Sequence, residues 1–422
     1  MDDESRGFYS LFLSSSVSAI GDGIRTLVIP LVILYVTGSI FLFGLIYSTE
    51  FLVWIVSSGI SGYIIDRTNR VSNLFFSNFI MFFLMLTVSL SYFFAYTYFI
   101  LFILIAVIGT SIGETFFNPS SFSLLPDIVH KNLDKRNALL SMGMNASLIV
   151  GYVIVGFGFF AISWGFLLAV DSASFLISAV ISHFGLKKYS IIETKEKIQM
   201  WKETREVIFF LKSKKIILYT IIFGFAFNFL TSGMAIIVPM IAVENTSIGS
   251  ISLSIFYICE LLGMLLGGSI IIIKRSRKLL TYLLIGSIGE GLVMLTMGFS
   301  LRDEGIIVIV MVTLLLVNGV FSELINIPLR VWYQQLIPKD KRAKIINIKD
   351  LILTIPMVIV FPLIGYLLDY FSEWLTIFIF GFSAVIVSIV EFILLNHIAF
   401  ETDNQLEIRI NNQNSQEQKT KV

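Results

Sequence analysis

Apolar stretches long enough to cross a bilayer follow one another from Phe8 to His397, and this succession limits the fold more than any other feature of the 422-residue chain. In lipid every backbone N–H and C=O must be satisfied within the segment, so each crossing is a helix of ~20 mostly apolar residues. Reading from breaker to breaker predicts twelve: Phe8–Tyr35, Ile40–Ile65, Ser72–Phe94, Tyr98–Leu125, Arg136–Phe160, Trp164–Phe184, Ile216–Val243, Gly249–Ile273, Leu279–Ser300, Ile306–Leu329, Ile346–Phe371 and Trp374–His397. Composition agrees: 56% of residues are apolar and 14% charged, where a soluble globule carries about a quarter charged residues. The expected fold class is all-α, a polytopic membrane protein.

Charge excludes some functions and orients the chain. The formal net charge is only +1, so no global basic field exists to hold nucleic acid. Cys259 is the single cysteine, which removes disulfide frameworks and thiolate clusters. His130, His183 and His397 lie far apart without metal-ligand spacing, so neither a metal nor a cofactor is expected. Lys and Arg are retained on the cytoplasmic side of a membrane. With the N-terminus inside, 28 of the 30 basic residues fall in inner segments; the others are Arg302, in an outer loop, and Arg25, within the first span. Both termini are therefore expected in the cytoplasm, which requires an even number of spans. Outer turns such as Thr37-Gly38-Ser39 and Ala95-Tyr96-Thr97 leave no room for an outer domain.

The polar stretch after span six divides the chain. Residues 1–186 form a first six-helix bundle and 216–398 a second, pseudo-symmetric with it. Between them, residues 187–215 form a cytoplasmic linker in which Ile198–Leu211, around Trp201, has the composition of an amphipathic surface helix. Residues 399–422, rich in Asn, Gln and Glu, are expected to be a disordered cytoplasmic tail. A weak parallel repeat joins the bundles: Gly44 precedes Gly62 by 18 positions, as Gly249 precedes Gly267. Glu114 lies five residues before Pro119, and Glu323 five before Pro328. Many transporters contain such repeats and bind cargo between them.

These residues also suggest a family. Gly62-Tyr-Ile-Ile-Asp66-Arg67-Thr-Asn-Arg70 resembles the loop signature of the major facilitator superfamily. Gly21-Asp22, Thr37-Gly38-Ser39 and Asn118-Pro119…Leu125-Pro126-Asp127 leading to Arg136-Asn137 look like its macrolide-efflux-like, drug:proton antiporter branch. The family's span-four Arg is missing, with Ile105 or Gly109 in its place, and span five reads Gly151-Tyr152 where exporters carry Gly-Pro. The resemblance implies that Gly62, Asp66, Arg67 and Arg70 belong to an inner gate, for which Asp127 is the candidate acid partner of Arg70. It also places spans one, four, seven and ten around a central cavity.

Ionisable groups within spans face a cavity or a partner, because exposing them to hydrocarbon costs ~2.5–3.5 kcal/mol or more. The expected cavity or proton-coupling residues are Asp22, Arg25, Glu114 and Glu323, with Glu50 and Glu260 on flanking spans. Asp22 and Arg25 are three apart on one helical face and can neutralise each other. Glu114 and Glu323, at matching places in the two halves, are expected to face one another across the cavity. Asp171, Glu290 and Glu391 are expected in peripheral spans as structural acids, and Tyr35, Tyr47, Phe116 and Phe227 are candidate apolar lining. Pro30, Pro239, Pro356 and Pro362 mark hinges or fixed bends.

The resulting expectation is a monomeric secondary transporter in a plasma membrane. It would export a hydrophobic or amphipathic small molecule, drug- or macrolide-like, by alternating access in exchange for protons. A dedicated metabolite or siderophore exporter, and an importer or facilitator of the same fold, remain open readings. A polytopic enzyme lacks the clustered catalytic groups it would need, and ATP-driven pumping lacks a phosphate-binding GxxxxGK[ST] loop.

Overall fold

The computed structural model describes residues 3–65, 68–129, 133–189, 214–244, 249–274, 279–301, 307–337 and 342–419. Its regular elements are all helical, and twelve helical segments are long and apolar enough to cross a membrane. The first bundle comprises α1 (Asp3–Thr37), α2 (Ile40–Ile65), α3 (Arg70–Phe94), α4 (Phe99–Ile128), α5 (Leu133–Gly158) and α6 (Trp164–Leu186). The second comprises α7 (Lys215–Thr231), α8 (Met234–Glu244), α9 (Gly249–Lys274), α10 (Leu279–Ser300), α11 (Ile307–Leu336), α12 (Arg342–Tyr370) and α13 (Glu373–Lys419). The surface helix expected over Ile198–Leu211 lies outside the described residues.

Local chemistry sets several ends. Asn69 caps α3, its side-chain oxygen accepting from the backbone N–H groups of Val71 at 2.9 Å and Ser72 at 3.2 Å. Gly38 has φ +61°, a left-handed conformation open to glycine, and it reverses the chain between α1 and α2 within two residues. Two elements differ from the sequence reading. Span seven is not one helix: it breaks at Ser232-Gly233, six residues before Pro239, and so forms α7 and α8. Serine and glycine favour non-helical backbone, and Pro239 is instead accommodated inside α8. The tail expected to be disordered continues α13 as helix to Lys419; after Gly381 the sequence has neither glycine nor proline to end it.

The bundles repeat one packing scheme. In the first, α3 packs on α6 and α4, α1 on α5 and α6, and α2 on α4; in the second, α10 packs on α13 and α11, α7 on α12 and α13, and α9 on α11. Within lipid, helix contacts rely on small residues and side-chain hydrogen bonds. Ser178 of α6 accordingly joins α1 and α3, through Ser14 Oγ at 2.9 Å and Asn78 Nδ2 at 3.0 Å.

The halves meet chiefly through two symmetry-related pairs, α2 with α12 and α5 with α9. Their described contacts share one end of the molecule. Gly44 packs on the backbone of Phe361, Gly365 on that of Ile40, Gly156 on Ser254, and Gly249 on the Tyr35 hydroxyl. Ser48 Oγ donates to the Val358 carbonyl at 2.8 Å, and the Tyr152 and Tyr257 rings lie 5.7 Å apart. All these residues lie in the half of their helices away from the chain termini.

Candidate functional site

Asp22 and Arg25 of α1 sit one turn apart and point toward α4. Arg25 Nη2 donates to Asp22 Oδ1 at 3.0 Å and also to Glu114 Oε1 of α4. The helix supplies the first contact through its i,i+3 spacing; the second requires α1 and α4 to pack side by side. Arg25 is the most enclosed of the three, at 12% side-chain exposure against 33% for Asp22 and 27% for Glu114. Its guanidinium also lies 6.0 Å from the centre of the Phe175 ring.

This triad lines a cavity of about 280 Å³ with Ser18, Thr26, Glu50, Asn118 and Phe175. A second space of about 250 Å³ shares the Glu50–Glu114 wall and is otherwise lined by Phe51, Trp54, Ser111, Thr354 and Met357. Thr354 and Met357 belong to α12, so this slot reaches the other half. Glu50 borders both spaces, and also a small recess beside Tyr47. Its backbone carbonyl accepts from Ser111 Oγ at 2.8 Å, whereas its carboxylate has no hydrogen-bond or ion-pair partner among the described residues. The cavity thus presents three carboxyl groups and one guanidinium, with an aromatic slot beside them.

Glu323 is not in this group. Its Cβ packs against Gly267 of α9, while Glu114 is occupied by Arg25, so the expected face-to-face pair of glutamates does not form. The reason is the close α9–α11 contact: Gly263, Gly267 and Gly319 bring the two backbones together and turn Glu323 toward α9. Glu260 likewise belongs to that contact, accepting from Asn318 Nδ2 at 3.1 Å. The cavities above are lined by the first bundle and α12, without a residue of α7 or α11.

Of the expected gate residues, Gly62 lies in the last turn of α2, and Asp66 and Arg67 fall outside the described residues. Arg70 opens α3 and forms an ion pair with Asp127 of α4, also donating from Nη1 to the Ser123 carbonyl at 3.2 Å. Among the tyrosines and phenylalanines, Tyr47 borders the recess beside Glu50. Tyr35 lies at the inter-half contact instead, its hydroxyl against Gly249 of α9.

Two acids carry more than sequence reasoning assigned them. Asp171 of α6 is fully buried behind the triad, with both carboxyl oxygens unpartnered among the described residues and one of them against Gly21. Asp369, near the end of α12, holds the first turn of α2 in the other half. A partner 330 residues away leaves no local pattern from which to find it.

The model of the Major Facilitator Superfamily matches residues 11–348. Among solved structures the chain is similar to a mutant of the peptide transporter POT in complex with sulfate, at 11% identity and TM-score 0.78, covering 93% of this chain and 95% of that one. It is also similar to a POT family transporter in complex with 5-aminolevulinic acid, at 14% identity and TM-score 0.73, covering 93% and 96%. A mutant of the nucleoside transporter NupG aligns at 12% identity and TM-score 0.74, covering 92% and 99%. No curated protein matches the chain by sequence.

Proposed function

Since the chain belongs to the major facilitator superfamily, and so is a multi-pass membrane transporter rather than an enzyme, we propose that it exports a hydrophobic or amphipathic small molecule in exchange for protons. Its working mode is alternating access. Positive-inside orientation would put these contacts between the halves at the outer end, and on this reading they are the contacts of a closed outer gate.

The observation that carries the reading is the unpartnered carboxylate of Glu50 on the wall between an acid-lined cavity and an aromatic slot. Three carboxyl groups around one arginine favour a cargo with a cationic head. Phe51, Trp54 and Met357 favour an apolar body. A cation and a proton compete for the same carboxyl groups: cargo binding from the cytoplasm displaces protons, and protons arriving from outside displace cargo. Arg25 keeps Asp22 and Glu114 from collapsing onto any cation that enters, so Glu50 is the group that discriminates.

Purified protein in proteoliposomes with an imposed pH gradient tests this, using a panel of amphipathic amines beside uncharged analogues of equal size. Gradient-driven movement of an amine, lost in Glu50→Gln, supports antiport. Movement indifferent to the gradient would overturn proton coupling. The same cavity serves an importer or facilitator of this fold, and accumulation down rather than against the proton gradient would assign that direction.

A further inference from the structure

The first turn of a helix has backbone N–H groups that no carbonyl of its own helix can reach. At the start of α2, one of these is satisfied locally: Ser39 Oγ accepts from the Leu42 N–H at 3.1 Å. The next two are satisfied from the opposite half of the molecule. Asp369 Oδ1 accepts from the Ile40 N–H at 2.9 Å and Oδ2 from the Phe41 N–H at 2.9 Å, while the Ser39 hydroxyl donates to Oδ2 at 3.0 Å. Among the described residues no Lys or Arg pairs with Asp369, so the helix N-terminus is what balances its charge.

The approach is possible because side chains are missing where the backbones cross. Gly365, one turn before Asp369, faces the Ile40 carbonyl, and Gly44, one turn into α2, faces the Phe361 carbonyl. The tight reversal at Gly38 starts α2 two residues after α1 ends, and its first turn meets α12.

We propose that Asp369 is the latch of the outer gate: its carboxylate, capping α2 across the interface, holds the outer end closed and so sets the balance between inward-open and outward-open states. The three hydrogen bonds join opposite halves, so they exist only while that end is closed. Opening returns them to water, and the carboxylate favours the closed state by the difference. Asp369 touches none of the cavities described above and acts on transport through this equilibrium alone. The proposal rests on alternating access and on the outer placement of this end, but not on the identity of cargo or coupling ion.

The test is thiol labelling in intact membranes, without cargo or gradient, in a Cys259→Ser background that removes the native thiol. Phe361→Cys reports the outer interface, where residue 361 is 1% exposed, and Thr354→Cys reports the slot shared with Glu50 and Met357. Adding Asp369→Asn is expected to raise labelling of Phe361→Cys by an impermeant outside reagent about tenfold and to lower inside labelling of Thr354→Cys. Ser39→Ala, which removes one of the three bonds together with the local cap on the Leu42 N–H but no charge, should shift both rates the same way by a smaller factor, and it serves if Asp369→Asn does not assemble. Unchanged rates would overturn the latch. So would a rise at both reporters, which marks general loosening. Reagents acting from the opposite sides would instead overturn the assigned orientation, leaving the latch to be read at the inner end.

Discussion

At the residue scale, the charges within the membrane differ in how well they are satisfied, and that difference predicts what each substitution does. Arg25 is enclosed and shared between Asp22 and Glu114, so removing it leaves two carboxylates facing each other. Breaking a buried pair costs several kcal/mol, and the partial exposure here screens some of that. Arg25→Ala is expected to lower stability by about 2 kcal/mol, read as a fall in melting temperature in detergent, and Arg25→Ala with Glu114→Ala should recover part of the loss. An unchanged melting temperature in the single variant would show the triad to be solvated. Glu50 has nothing to lose in this sense. Glu50→Gln is expected to fold as well as the parent protein, yet to reduce kcat/KM for a cationic cargo by about 10- to 100-fold and spare an uncharged analogue. Equal loss for both would assign Glu50 to packing. The sequence makes Asp22–Arg25 visible because residues three apart on a helix share a face. Glu114 can be suspected from its place in the repeat, but that it turns to Arg25 rather than to Glu323 depends on how α9 and α11 pack.

At the scale of elements, glycines at helix crossings fall into two kinds, and the difference is whether the interface opens during transport. Gly319 lies inside the second half, where an added methyl would meet the backbone of Glu260 and Met264 in α9. On the alternating-access reading that contact stays within one bundle, so Gly319→Ala is expected to cost about 1–3 kcal/mol of stability outright. Gly44 and Gly365 lie between the halves. There a methyl penalises only the conformation in which the outer end is closed, and the molecule can evade it by opening. Gly365→Ala should therefore leave the melting temperature near that of the parent while raising outside labelling of Phe361→Cys; a large fall in stability without a change in labelling would place this contact within a rigid body. The pattern of apolar runs and basic turns locates these helices to within a few residues: α3 is predicted from Ser72 and begins at Arg70. It does not locate the break in span seven. The run from Ile216 to Val243 carries no charge and is mostly apolar, and periodicity cannot separate one helix from two joined at Ser232-Gly233.

For the whole molecule, alternating access requires each gate to be strong enough to hold and weak enough to release. α2 and α12 run antiparallel along the boundary between the halves, so the C-terminal end of α12 meets the N-terminal end of α2. At the outer end this pairs Asp369 of α12 with the first turn of α2. At the inner end the residue that follows α2 is Asp66, the acid of the loop signature. Removing the outer latch should favour the outward-open state, and removing the inner acid should favour the inward-open state. α2 is 26 residues long, ~39 Å at 1.5 Å per residue, which separates its two ends far enough for changes there to add. Asp66→Asn alone is expected to raise inside labelling of Thr354→Cys and to slow transport, as Asp369→Asn slows it from the opposite side. The double variant is then expected to label at both reporters within about threefold of the parent and to transport faster than either single variant, because turnover depends on the balance of the two states more than on the strength of either gate. A double variant slower than both singles would mean that the acids hold the bundles together in every state. The inner and outer charges would then be parts of the scaffold, and the switch between states would have to be sought in the cavity itself, at Arg25 and its three acids.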